Sequence, residues 1–243
     1  GSLWAGPGVG PGGGNNWTVV GGAGGSALRI EDGGVFTNAR LYDDGMNSVI
    51  ISSGGKCFPT AFNVGSLVGG ARLLIQGGPG VTSFLGIASI WGGCTGIVDG
   101  LNYDWSAVLT NGFNVTGRSS LIVTNQGRVI GVGTVGSASG SNSLVVVQGG
   151  HATVSGGGNY NGLGSQVGAN YNSMIVRDPG SVLELLANGN SWLVGSSAYG
   201  ATRLDGNVIY VRNGGLLTNS ADVIVANAWA GGVFCGSNTF NSG

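Results

Sequence analysis

The stretch Ser143-Leu144-Val145-Val146-Val147-Gln148-Gly149-Gly150 sets a hydroxyl, four β-favouring apolar residues and a glycine-containing corner in eight positions. Four or five apolar residues closed by Gly-Gly make a short strand and a tight turn, because only glycine takes a left-handed backbone without steric cost. Working outward, the same phrase recurs in both directions. Ser26-Ala27-Leu28-Arg29-Ile30-Glu31-Asp32-Gly33-Gly34-Val35, Ser48-Val49-Ile50-Ile51-Ser52-Ser53-Gly54-Gly55 and Ser120-Leu121-Ile122-Val123-Thr124-Asn125-Gln126-Gly127 match closely. Looser copies begin at Leu73, Ser173 and Asn207.

The first apolar positions fall at 28, 49, 73, 121, 144, 174 and 208, in steps of 21, 24, 48, 23, 30 and 34 residues. The long step is twice 24, so a degenerate copy is expected between Arg72 and Ser120, with Ser106-Ala107-Val108-Leu109-Thr110-Asn111-Gly112 as the partial match. A unit of this length cannot bury its apolar face alone and must stack on its neighbours. The expected fold is all-β: a parallel β-helix of about nine irregular coils of roughly 21–34 residues, with uncapped ends. In it Ile30, Ile51, Ile75, Val123, Val146, Val176 and Val211 form one core row. Asp-Gly at 32, 44, 99 and 205 and Asn-Gly at 111, 161 and 188 are the expected corners. Residues 1–243 read as one module with an irregular, loop-rich insertion at about 84–117. An antiparallel sandwich with the same turns is the competing architecture.

The phrase Asn/Ser-x-Leu-x-Val-x-x-Gly-Gly-x-Leu, followed by x-Val-Gly, resembles the β-helical repeats of large bacterial surface and autotransporter-type passenger proteins over most of the chain. That resemblance implies a right-handed, extracellular solenoid serving as a stalk, adhesin or fibre.

Composition narrows the function classes. Of 243 residues 53 are glycine and only 8% are charged, with a formal net charge of −1. Few charges and 42% hydrophobic residues exclude disorder. Nine Lys and Arg scattered along the chain give no basic stripe for nucleic acid. No apolar run approaches the roughly 20 residues that span a bilayer as a helix, so no membrane segment is expected. With neither an initiator Met nor a charged-then-apolar leader, the chain reads as a mature product or an excised segment. Cys57, Cys94 and Cys235 are odd in number without a C-x-x-C pair; they allow at most one internal disulfide and read by default as buried free thiols, with no metal or other cofactor expected.

No catalytic constellation is read from the residues. Glu31-Asp32, Asp43-Asp44, Asp99 and Asp104 are corner residues bonding their own backbone, and His151, the single histidine, reads as a solvent-facing turn residue. Trp91, Tyr103 and Trp105 form a candidate ligand-contact loop, while Asn16 and Asn114 head N-glycosylation sequons. The two ends look complementary: Thr239-Phe240-Asn241-Ser242-Gly243 followed by Gly1-Ser2-Leu3-Trp4 resembles the run from Tyr210 to Thr218. The expected function is a non-enzymatic extracellular filament or cell-surface stalk whose partners are identical copies placed end to end. The competing reading is a carbohydrate-binding or carbohydrate-cleaving β-helix of adhesin, tail-fibre or lyase type, with surface glycan as its partner.

Overall fold

The computed structural model describes residues 3–5, 17–20, 25–37, 40–43, 45–65, 69–86, 88–103, 106–136, 139–155, 162–164, 169–186, 192–195, 206–219, 223–225 and 239–242. Every regular element among them is a strand: β1 (Leu3–Ala5), β2 (Trp17–Val20), β3 (Ala27–Ile30), β4 (Val35–Thr37), β5 (Arg40–Asp43), β6 (Ser48–Ile51), β7 (Lys56–Phe58), β8 (Ala61–Gly65), β9 (Arg72–Gln76), β10 (Thr82–Leu85), β11 (Ala88–Trp91), β12 (Thr95–Asp99), β13 (Ala107–Val115), β14 (Ser120–Thr124), β15 (Arg128–Val135), β16 (Ser143–Val146), β17 (His151–Val154), β18 (Gly162–Leu163), β19 (Ser173–Arg177), β20 (Val182–Leu185), β21 (Trp192–Val194), β22 (Val208–Arg212), β23 (Leu216–Asn219), β24 (Val223–Val225) and β25 (Thr239–Ser242). Among the described residues no helix is long and apolar enough to cross a membrane.

Among the described residues all strand pairs are parallel, and no strand pairs with its neighbour in sequence. That pattern requires the chain to wind round once before it pairs, which is a β-solenoid and excludes the antiparallel sandwich. One sheet has nine strands in the order β25-β22-β19-β16-β14-β12-β9-β6-β3. The other has sixteen strands in two arms, which merge where the long strands β13 and β15 run through without a corner.

The expected core row forms in register: Ile30, Ile51, Ile75, Val98, Val123, Val146, Val176 and Val211 face one another along the nine-stranded sheet. From Ile51 to Val176 every member of it is fully buried. Across the interior stand Phe36, Cys57, Phe84, Leu109, Val129, Ala152 and Leu183 from the other sheet, all buried. Each such side chain contributes roughly 1.5–3 kcal/mol of burial, and alternation on a strand of period two leaves the register little freedom to slip.

The missing copy is Thr95–Asp99, not the run from Ser106. Gly96 stands where Leu73 and Leu121 stand in the flanking turns, so the apolar signal is absent there. The space is filled instead by the Ile90 side chain, which a Cβ on Gly96 would strike. The run from Ser106 enters β13, which pairs with β10 and β15 in the other sheet. The stretch 84–117 thus holds the end of β10 together with β11, β12 and β13, each in register with neighbouring turns.

Four of the corners leaving the nine-stranded sheet, Asp32-Gly33, Ser53-Gly54, Gln148-Gly149 and Asn213-Gly214, are two-residue turns with positive φ at both central positions. They are closed by hydrogen bonds such as Gly150 N–H to Val147 O at 2.9 Å. Of the expected Asp-Gly and Asn-Gly corners, Asp32-Gly33 is such a turn, whereas Asn111-Gly112 lies inside β13.

Candidate functional site

Among the described residues, one edge of the stack presents β1, β2 and β3 and the other β23, β24 and β25. Among the described residues, β1 and β2 pair in the sixteen-stranded sheet and β25 in the nine-stranded sheet. On β3, Ser26 O and Ile30 O accept from Ser48 N–H and Ser52 N–H, both at 3.0 Å. Alternate residues of a strand point their main-chain groups to opposite sides, so the N–H and C=O of Arg29 face the open edge.

The strands place the expected junction differently from the sequence match. Thr239 stands beside Val208 rather than Tyr210, a shift of two residues that sets Phe240 against the buried Ile209. Leu3 stands in the column of Val35, Lys56 and Leu216 rather than that of Leu217. The match was anchored on glycines, whereas apolar rows decide the pairing. Trp4, Phe240, Asn241 and Ser242 lie on β1 and β25, while Gly1, Ser2 and Gly243 are outside the described residues.

Inside the corner that enters the nine-stranded sheet runs a buried polar column. Asn142 and Asn172 are each within 1% of full burial, as is Asn207. Each carboxamide oxygen accepts the main-chain N–H one turn earlier: Ser119 to Asn142 at 3.0 Å, Asn142 to Asn172 at 3.0 Å and Asn172 to Asn207 at 3.1 Å. Side-chain amides extend the chain, Asn142 Nδ2 donating to Asn172 Oδ1 at 2.8 Å and Asn172 Nδ2 to Asn207 Oδ1 at 2.9 Å. The signal was the Ser or Asn that opens each phrase.

A second feature escaped the sequence reading. Ile50, Leu74, Ile97, Ile122, Val145 and Ile175 stand in register on the outer face of six successive strands of the nine-stranded sheet, half-exposed. At ~4.8 Å per strand this aliphatic stripe runs ~24 Å along the stack. It was hidden because both faces of these strands are apolar, which removes the alternation that separates inside from outside.

Trp91 and Tyr103 lie at opposite ends of β12. Trp91 ends β11 and covers Gly65 of the neighbouring strand β8. Tyr103 is exposed in the corner beyond the opposite end of β12, and Trp105 lies outside the described residues. Asn16 is also outside them. The Asn114 Oδ1 accepts from the Thr134 main chain at 3.1 Å and hydroxyl at 3.0 Å. Asp99 does bond its own corner, accepting from Leu101 N–H at 2.9 Å. Cys57 and Cys94 are buried, and burial pushes the Cys57 thiol far up. Cys235 is outside the described residues.

His151 is not a solvent-facing turn residue. It opens β17 with its side chain 30% exposed, its Nε2 lying 3.9 Å from Glu184 Oε2. Burial, reinforced by Arg128 and opposed by Glu184, holds its pKa below the ordinary 6.5. The folded state therefore favours neutral imidazole. Its contribution to stability is complete above pH 6.5 and is lost as the pH falls through that value towards the lower folded pKa. His151→Asn is expected to have a flatter melting midpoint than the native chain between pH 7.5 and 5; identical slopes for the two proteins would refute the assignment.

No family model and no curated protein matches the chain. Among solved structures it is similar to a TibC-catalysed hyper-glycosylated TibA fragment, at 19% identity and a TM-score of 0.37, over 95% of this chain and 88% of that one. A likeness at that score carries no argument, so the functional reading rests on the strands themselves.

Proposed function

We propose that the chain is a structural protein: a right-handed solenoid of nine turns that stacks head to tail into an extracellular filament or surface stalk. The observation that supports this reading is the in-register parallel stack itself, each turn pairing only with the turns next to it, a geometry that a further copy continues without new contacts. In the joint, β25 of one copy fills the place beside β1 and β2 of the next and pairs with its β3, while β23 and β24 pair with the next copy's β1 and β2. The contact is heterologous and leaves the same edge open again, so growth continues without closure. Each copy would lengthen the fibre by roughly 43 Å at ~4.8 Å per turn. A net charge of −1 sets almost no long-range repulsion against association.

Negative-stain microscopy of the purified chain is expected to show unbranched fibres. Arg29→Pro removes an N–H aimed at the open edge and leaves the β3–β6 hydrogen bonds intact, at the cost of one exposed 3.8 Å ion pair to Glu31. That variant is expected to stay as short rods of monomer mass with a near-native melting midpoint. Monodisperse native particles at every concentration, or fibres undiminished in Arg29→Pro, would overturn the reading.

A further inference from the structure

The corners between the two sheets are of equal length after Val123 and Val146, where Arg128 and His151 resume five residues later. After Val176 the corner is one residue longer, because Val182 is the register partner of His151. Pro179 and Gly180 lie in this longer corner and, with Gln126, Gln148, Arg128 and His151, line a cleft of about 510 Å³. That size lies within the usual range for small-molecule sites.

The lining has a definite chemistry. Arg128 and His151 are register neighbours on the outer face of the sixteen-stranded sheet, about 4.8 Å apart along the stack. Elsewhere that column holds Val35, Lys56, Ser83, Val108, Val182 and Leu216, so the guanidinium and imidazole stand together only at the cleft. A guanidinium fork matches a carboxylate in two parallel hydrogen bonds. The amides of Gln126 and Gln148 both donate and accept, as sugar hydroxyls require. Pro179 adds an apolar wall. No carboxylate lines the cleft, so nothing there would hold an ammonium group. The charges around it are mixed. Glu184 accepts from the Thr153 hydroxyl at 3.1 Å and faces His151, and Asp178 accepts from Gln148 N–H at 3.4 Å with Arg177 4.0 Å away. With one carboxylate beside His151 and another beside Gln148, the surroundings suit a monoanion better than a phosphate dianion.

We propose that this cleft binds a carboxylated sugar, its carboxylate held by Arg128 and His151 and its hydroxyls by Gln126 and Gln148. An anion placed beside the imidazole favours the protonated form, so binding takes up a proton and tightens from pH 8 to pH 6. The inference is independent of filament growth, since the cleft lies within one copy.

Isothermal titration of the full chain, fibrous or not, tests it with glucuronate, glucose and acetate as probes. Glucuronate is expected to bind with glucose and acetate each at least about tenfold weaker, which is the scale of one charge-assisted or two neutral hydrogen bonds. Runs in two buffers of different ionisation enthalpy should show proton uptake near pH 7, lost in His151→Asn while binding persists. Arg128→Gln should cut affinity at least tenfold with the melting midpoint checked in parallel. No heat up to tens of millimolar glucuronate, acetate binding as tightly as glucuronate, or full affinity in a folded Arg128→Gln protein would each overturn the proposal.

Discussion

Gly150→Ala is expected to lower the melting midpoint by roughly 6–12 °C, the equivalent of about 3 kcal/mol in a chain of this size. A Cβ built on Gly150 would lie 2.5 Å from Val123 O, 2.8 Å from Val123 C and 3.1 Å from Val147 O. All three are main-chain atoms. Val123 O already accepts from Val147 N–H at 2.9 Å and Val147 O from Gly150 N–H at 2.9 Å, so Val123 O cannot withdraw without breaking a bond between turns, nor Val147 O without opening its corner. The neighbouring Gly149→Ala separates this effect from backbone strain. Gly149 has φ +76 but meets only the flexible Gln126 Cγ, at 3.3 Å, so its substitution should cost about 1–2 kcal/mol. The same close approach recurs at Gly55 against Ile30 O and at Gly127 against Val98 O. The column departs from glycine at Thr82, Ala107 and Ser181, and the two hydroxyls turn to the adjacent turn, accepting from Gly54 N–H and Gly149 N–H, both at 3.0 Å. If Gly150→Ala melts with the native chain, or higher than Gly149→Ala, the spacing of the turns is not what the registers state.

The parts of this architecture that repeat locally could be read from the residues, and the parts that depend on unequal turn lengths could not. The row from Ile30 to Val211 was legible because a strand of period two ending in a glycine corner admits one register. Gly96 broke the apolar phrase, and its turn became visible only through its pairing with Leu73 and Leu121. The junction was misplaced by two residues at Thr239 because glycines are too frequent in this chain to anchor an alignment. Arg128 and His151 are 23 residues apart in sequence and gave no motif. Only the stacking of their turns makes them walls of one cleft. The aliphatic stripe was legible as apolar content but not as surface, because its strands are apolar on both faces.

Asn172→Leu is the second large effect, with an expected loss of about 3–5 kcal/mol although the side chains are close in size. Asn172 is fully buried, and its Oδ1 accepts both the main-chain and the side-chain N–H of Asn142, while its own amide donates to Asn207. Leucine leaves the Asn142 N–H without an acceptor in a site that water does not reach, and a buried donor so stranded costs its whole desolvation. The Asn142 side chain loses less, since its Nδ2 also donates to Ser139 O at 2.9 Å and Gly140 O at 3.2 Å. The backbone is already shaped for a carboxamide here: a Cβ at Gly136, φ +68, would collide with the Asn172 side chain. Asn172→Ser should fall between the two, because Ser119 shows that a hydroxyl at this column can cap the preceding turn, accepting from Cys94 N–H at 3.1 Å. Hydrogen exchange gives the sharper reading. The Asn142 amide should lose protection in Asn172→Leu by far more than amides several turns away, as expected of a stack whose turns are stabilised chiefly by their nearest neighbours. Uniform loss along the chain would mean that the column acts through the whole fold, and unchanged protection at Asn142 would remove the column from the list of things that hold the turns together.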